Sequence, residues 1–338
     1  MDLFRKKIGP VFVKKDSDVK EYIEKLESLK ERADGNLKEE IEKQIKWAKS
    51  GHKGEENIAF ELQNSGMDMM ILHDLLLEIN EVSAQIDYLV ITRKVTFVIE
   101  CKNLIGNIEI NNKGEFIRTY KMGGEKVRQG FYSPITQNER HLQVIKQLRL
   151  NEKGTLARVF AERNFNNCYK SIVVLANPQT LLYDRYAPKE IKEKVIRSDQ
   201  LVEYIKGVNA ESGLLAYSEN EMKELADFFL SHSRQNKLDY IQKYENRITK
   251  TLEKEEKEEK EKEEKNTGEI EKCLKEFRLT QSRKENIPPY YIFNDAQLQD
   301  LIKKEPGNEE ELLKVSGFGP VKVKKYGEEI LRIMKENK

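Results

Sequence analysis

Residues 251–265, TLEKEEKEEKEKEEK, hold eight glutamates and five lysines and almost nothing that a core could bury. Such a run cannot pass through a hydrophobic interior, because every charge taken out of water would need a partner of its own. It is therefore expected to be a solvated helical or disordered spacer. It divides the 338-residue chain into a long N-terminal part and a C-terminal remainder of compact size. The expected organisation is an N-terminal helical region over 1–50, a larger domain over 51–235, a charged linker over 236–267 and a small helical domain over 268–338.

Charged residues make up 35% of the chain, yet the formal net charge is only +1, so any surface for a polyanion has to be a local patch. Cys101, Cys168 and Cys273 are far apart and form no C-x-x-C pair, which speaks against a disulfide framework or a zinc site. They suit a reducing, cytoplasmic compartment. No apolar run is long enough to span a bilayer, and MDLFRKKIGPVFVKK lacks the apolar stretch of a secretion signal. No membrane partner is expected.

Periodicity locates the elements. Residues 16–49 read as helix, with Asp16 or Ser17 as cap and a break at Asp34-Gly35. Gly51 to Glu56 reads as a turn opening a further helix that runs to about Gln63. Strands are expected over Ile71–Ile79, Ile86–Thr92, Val95–Cys101, Asn107–Ile110, Glu115–Tyr120 and Ser171–Ala176. Ser133-Pro134 is a helix start, a hydroxyl cap followed by proline at the first helical position. That helix should reach about Leu150, with others over Asp199–Ile205 and Glu219–Leu230.

Two of these strands carry the chemistry. If Arg93-Lys94 is a two-residue hairpin loop, Thr92 pairs with Val95 and Asp87 falls opposite Glu100. Like charges so placed are destabilising unless something neutralises them. A hard divalent cation, Mg²⁺ or Mn²⁺, is the natural neutraliser for carboxylate oxygens. Lys102, two residues after Glu100, projects from the same face. Two carboxylates and an ammonium amid apolar strands suit phosphodiester hydrolysis: Asp87 and Glu100 hold the metal and Lys102 steadies water or developing charge. The plainer reading is a Glu100–Lys102 ion pair at a strand end.

Glu55 shares a helical face with Ile58 and Ala59 and would add a third acid. Gln137 and His141 stand at the polar end of the stripe that continues through Ile145 and Leu148, so they can face the site. Gln85 lies two residues before Asp87. His52 and His73 have no metal-ligand spacing and read as ordinary.

GHKGEENIAFEL, AQIDYLVI, FVIECKNLIGNIEI and SPITQNERHLQVI, in this order, resemble the successive motifs of the nuclease-related domain, NERD. That resemblance covers roughly 51–180. It implies the restriction-endonuclease-like PD-(D/E)xK fold, an α/β architecture with a mixed sheet flanked by helices, and a NERD nuclease-like domain over 51–235. It maps the family's site positions onto Glu55, Asp87, Glu100, Lys102 and Gln137.

The C-terminal run PPYYIFNDAQLQDLIKKEPGNEEELLKVSGFGPVKVKKYGEEILRIM is similar to the HRDC domain, a small all-α bundle found in RecQ helicases and RNase D-type proteins. Gly317-Phe318-Gly319 makes a tight loop before a helix whose first amides could meet phosphate. Lys314, Lys322, Lys324 and Lys325 cluster around it as the expected nucleic-acid contacts. Tyr290, Tyr291 and Phe293 read as core residues that could otherwise stack on bases.

The function expected is that of a Mg²⁺- or Mn²⁺-dependent nuclease in DNA processing or repair. Its partners would be nucleic acid and a separate helicase or repair protein. The alternative is a catalytically silent nucleic-acid-binding adaptor on the same scaffold.

Overall fold

The computed structural model describes residues 8–234 and 239–337. The chain forms two compact units, 1–244 and 245–338.

In chain order the first unit contains β1 (Pro10–Lys14), α1 (Val19–Glu31), α2 (Gly35–Gln63), β2 (Met69–Ile79), β3 (Val82–Thr92), β4 (Thr96–Lys102), β5 (Asn107–Ile110), β6 (Phe116–Met122), β7 (Glu125–Phe131), α3 (Pro134–Asn151), α4 (Thr155–Cys168), β8 (Tyr169–Leu175), β9 (Leu182–Tyr183), α5 (Lys189–Lys192), β10 (Val195–Arg197), α6 (Leu201–Glu211), α7 (Glu219–His232) and β11 (Ser233–Arg234). The main sheet runs β1-β2-β3-β4-β8-β10, with β11 also paired to β2. It is mixed: β1 lies parallel to β2, β2, β3 and β4 form an antiparallel meander, and β4, β8 and β10 are parallel. A second, four-stranded sheet has the order β7-β6-β5-β9.

Each face of the main sheet buries its own core. Ile58 and Leu62 of α2 and Leu201 and Ile205 of α6 pack on Tyr88, Phe97 and Ile99. Val144, Ile145 and Leu148 of α3 and Phe229 of α7 pack on Leu89, Ile91 and Val98 of the other face. Asn138 stands on the apolar side of α3, where its amide nitrogen donates to Val98 O at 2.9 Å and Ile172 O at 2.8 Å. It bridges β4 and β8 and fixes α3 on the sheet. The fold class is thus mixed α/β with flanking helices.

Several elements differ from the sequence reading. The first helix starts at Val19, with Asp18 at its N-cap position and no cap bond from that side chain; of the two expected caps, Ser17 Oγ accepts from Val19 N at 3.3 Å. No turn opens at Gly51, because α2 is a continuous helix of 29 residues. Glycine there serves packing: a Cβ on Gly54 would lie 2.5 Å from Asn103 Cβ, so its absence lets α2 rest on the end of β4. The β6–β7 hairpin was read only through its first strand, because β7, EKVRQGF, is exposed and carries no apolar alternation. The helix expected over Asp199–Ile205 is displaced to Leu201–Glu211.

The second unit contains α8 (Asp239–Glu285) from residue 245 onward, including the charged run, followed by α9 (Pro289–Ile292), α10 (Asp295–Lys304), α11 (Glu309–Leu312) and α12 (Pro320–Glu336). Leu274, Phe293, Leu298, Leu312, Phe318 and Ile330 are among its core residues. Phe293 is fully buried, whereas Tyr290 and Tyr291 are 62% and 61% exposed, against the expectation that they pack inward. In a helix of four residues that opens on Pro289 after Pro288, Ile292 takes the core-facing position and leaves both tyrosines outside. Among the described residues no helix is long and apolar enough to cross a membrane.

Two glycines three positions apart in α2 should respond oppositely to alanine. Gly51 has nothing within 4 Å of an added Cβ, so Gly51→Ala should stabilise by about 0.5–1 kcal/mol through helix propensity. Gly54→Ala should destabilise by about 1–2 kcal/mol, because overpacking outweighs that gain. Urea melts of the two variants give the comparison, and a stabilised Gly54→Ala would remove the close-approach explanation.

Candidate active site

The β3–β4 hairpin has the register expected from a two-residue loop. Ile91 faces Thr96 and Tyr88 faces Ile99, and Thr92 N donates to Val95 O at 3.0 Å. The loop is anchored by Arg93, whose guanidinium reaches Asp68 at 2.9 Å. The other Asp68 oxygen accepts from Ile8 N and Gly9 N.

The ladder stops one step before Asp87 and Glu100. Strict alternation would put residues three apart on opposite faces, yet Leu72 and Leu75 share one core, as do Ile86 and Leu89. The break falls at Asp74, with φ +56°, and at Asp87 beside it. The Gln85 amide bonds the Asp74 carboxylate, which gives Gln85 a structural partner. At this break the Asp87 side chain turns in and accepts from Cys101 N at 2.6 Å.

The other predicted residues converge here. Lys102 Nζ donates to Glu100 Oε1 at 2.6 Å and to Gln137 Oε1 at 3.1 Å. Gln137 is placed by the start of α3, where Ser133 Oγ caps Thr136 N and Pro134 opens the helix. His141, one turn on, puts Nδ1 3.5 Å from Glu100 Oε2. Glu55 comes from α2: its carbonyl accepts from the Tyr88 hydroxyl at 2.8 Å, and its Oε2 lies 3.0 Å from His73 Nε2. His73 Nδ1 donates to Lys15 O at 2.9 Å, and the ring stacks on Tyr88. His73 was read as ordinary, but it holds Glu55. Its signal in the sequence was a lone polar ring inside an apolar strand.

Electrostatics follow from this crowding. Burial, then the charges of Glu100 and Glu55, push the Asp87 pKa well above its ordinary value, against the Cys101 N–H and Lys102. Glu100 is also raised, chiefly by burial, with Lys102 opposing. Burial and the Lys102 ammonium lower His141 to about 4, so it is neutral at pH 7. His73 goes the other way: burial works against its cation, but the bonds to Glu55 and Lys15 outweigh it and its pKa is raised.

Glu100 is 3% exposed, and among the described residues its Oε2 and His141 Nδ1 have no hydrogen-bond partner. An orphaned carboxylate oxygen beside a second acid that resists ionisation is the deficit a divalent cation fills. The donor chemistry therefore fits Mg²⁺ or Mn²⁺ at Asp87 and Glu100. Among the described residues no group of three or more His, Cys, Asp or Glu side chains already stands in a metal-holding arrangement.

Of the four C-terminal lysines, Lys325 is paired with Glu285 at 2.5 Å. Lys322 is half-buried over the Phe318 ring and 3.4 Å from Gln297 Oε1. Lys314 and Lys324 are exposed.

Comparison with known proteins finds two family matches along the chain. Residues 50–176 match NERD, the nuclease-related domain, and residues 269–334 match the HRDC domain. The chain is similar to the ATP-dependent DNA helicase RecQ of Haemophilus influenzae, 37% identical over 65 residues that are 19% of this chain and 10% of the helicase. It is also similar to the ATP-dependent DNA helicase Q-like 4B of Arabidopsis thaliana, 34% identical over 67 residues, 19% of this chain and 6% of that protein. The solved D. radiodurans RecQ HRDC domain 3 is 26% identical, with a TM-score of 0.20, over 21% of this chain and 92% of that domain. The chain spans about a tenth or less of the length of these helicases. It thus carries a nuclease-related domain, which contains Glu55, Asp87, Glu100, Lys102 and Gln137, and a C-terminal HRDC domain. This pairing points to nucleic-acid processing.

Asp87→Asn should raise thermal stability when divalent cations are chelated. A carboxyl with a raised folded-state pKa binds more protons folded than unfolded, so stability falls as pH climbs above the unfolded value of about 3.9. The gain should be small near pH 4.5 and grow toward pH 7.5, at about 2–4 °C per kcal/mol. Melting in EDTA at the two pH values measures it, and an equal or lower melting point at pH 7.5 counts against a strained carboxylate.

Proposed function

We propose that this chain is a metal-dependent nuclease that hydrolyses phosphodiester bonds in DNA. The observation that carries the reading is the meeting of Asp87 and Glu100 at the break in the sheet, with Lys102 bound to Glu100 and Gln137. A Mg²⁺ or Mn²⁺ ion bound by Asp87 and Glu100 would supply Lewis-acid polarisation of the phosphoryl oxygen and a more acidic water. Lys102 carries the positive charge that meets the developing negative charge on phosphate. Gln137 keeps that ammonium in place. Glu55, held by His73, adds a third acid for orienting water or its proton. Neutral His141 offers a ring nitrogen beside Glu100 without a competing charge.

We propose a division of labour along the chain. The 51–235 region would do the chemistry, the 236–267 segment would act as spacer, and the C-terminal domain would engage nucleic acid through Lys314 and Lys324 and the exposed Tyr290–Tyr291 pair. Lys322 and Lys325, already engaged, would contribute less. Matches to DNA helicases support DNA over RNA and a helicase or repair protein as partner. The free cysteines suit a cytoplasmic setting.

One observation favours the second reading, a silent adaptor. The Lys102 ammonium already meets Glu100 Oε1 at 2.6 Å, as a purely structural ion pair would. Cleavage decides between them. With Mn²⁺ or Mg²⁺, the full chain should nick or degrade single-stranded, duplex or branched DNA. Asp87→Ala and Lys102→Ala should each lower the rate by at least about 100-fold. Wild type and Asp87→Ala behaving alike on every substrate would leave the adaptor reading standing.

A further inference from the structure

The four-stranded sheet is inserted between the two elements that build the site, since β5 follows Lys102 and α3, with Gln137, follows β7. Its inner face is buried: Ile108, Ile110 and Phe116 pack with Ile135, Val173 and Leu175. Val173 and Leu175 are the register neighbours of Glu100 and Lys102, so the sheet is rooted beside the carboxylates.

Its outer face has a different chemistry. Cross-strand register puts Tyr183, Glu109 and Ile117 in one row, Thr119 and Arg128 in the next, and Lys121 opposite Lys126 at the tip. Residues 111–132 hold five basic side chains against two acidic ones, in a chain whose net charge is +1. Lys121 and Lys126 are exposed. Like charges directly across a strand pair oppose pairing, so this hairpin gives up stability for a cationic tip. Arg128 shares that face and pairs with Glu109 at 3.0 Å through an exposed ion pair, which phosphate can replace. Tyr183, 52% exposed, offers a ring at the edge next to Glu109.

We infer that the outer face of the β5–β6–β7–β9 sheet is a binding surface for single-stranded DNA. Lys121, Lys126 and Arg128 take consecutive backbone phosphates and Tyr183 stacks on an unpaired base. Positive charge selects a polyanion. The exposed ring selects a strand whose bases are free, because a duplex hides its π-faces. This inference rests on the nuclease reading for its choice of DNA, and its test does not require cleavage.

The test uses the full chain in EDTA. Hydrogen–deuterium exchange should show residues 116–131 protected by a 20-nucleotide oligo-dT. Fluorescence anisotropy should show the double variant Lys121→Glu/Lys126→Glu weakening that strand at least 10-fold, with a shallower salt dependence by about two phosphate contacts. Tyr183→Ala should weaken it about 5- to 100-fold while leaving a 20-bp duplex unchanged. Lys113→Glu, at the other end of the hairpin, should do little. No protection of 116–131, equal losses from Lys113→Glu, or a loss confined to duplex or to RNA would each overturn the inference. If the Lys121→Glu/Lys126→Glu and Tyr183→Ala variants lose binding but the wild type never cleaves with Mn²⁺, the surface stands and the nuclease reading falls. If cleavage is present and these variants bind normally, the reverse holds.

Discussion

Two carboxylates cannot be buried side by side in a regular β-ladder without cost, and the main sheet accommodates them by interrupting its own alternation. With Asp74 in a left-handed conformation and the Asp87 side chain turned onto Cys101 N, the strands change face between Ile86 and Leu89. A regular strand would offer Asp87 to one face only. The interruption lets it feel Glu55 from the α2 side and Glu100 from the β4 strand together. The surrounding structure then has to hold that strained junction. Asn138 ties β4 to β8, His73 fixes Glu55, and Gly54 lets α2 approach closely enough to bring Glu55 within reach.

Much of this was legible in the residues. Arg93-Lys94 between two β-branched runs implied the register, and the register implied that Asp87 and Glu100 would meet. Ser133-Pro134 marked the helix that delivers Gln137. What was hidden shares a physical character. The continuity of α2 was hidden because Gly51 and Gly54 carry turn propensity, while the close contact that calls for glycine at 54 comes from Cys101 and Asn103, some fifty residues away. The role of His73 was hidden because its partners, Glu55 and Lys15, come from other elements. The strand β7 was hidden because neither of its faces is apolar enough to reveal a period.

The two parts of the chain handle positive charge differently. In the C-terminal domain a visible cluster of lysines is partly spent, with Lys325 on Glu285 and Lys322 on an aromatic face. In the nuclease-related domain the basic residues lie within one hairpin, and strand register sets Lys121 opposite Lys126 with Arg128 on the same outer face. A count along the chain finds both clusters, whereas pairing geometry shows which of their charges share a face.

The parallel pairing of β4 with β8 also orders events during synthesis. Every acid of the site lies before residue 101, but the strand that closes the edge beside Glu100 spans Tyr169–Leu175 and leaves the ribosome much later. Until then β4 is an open edge, and α3 lacks the Ile172 carbonyl that helps hold it through Asn138. The residues that would cut a phosphodiester are thus made first and aligned last. A nascent chain would carry the full set of acids without the geometry to use them.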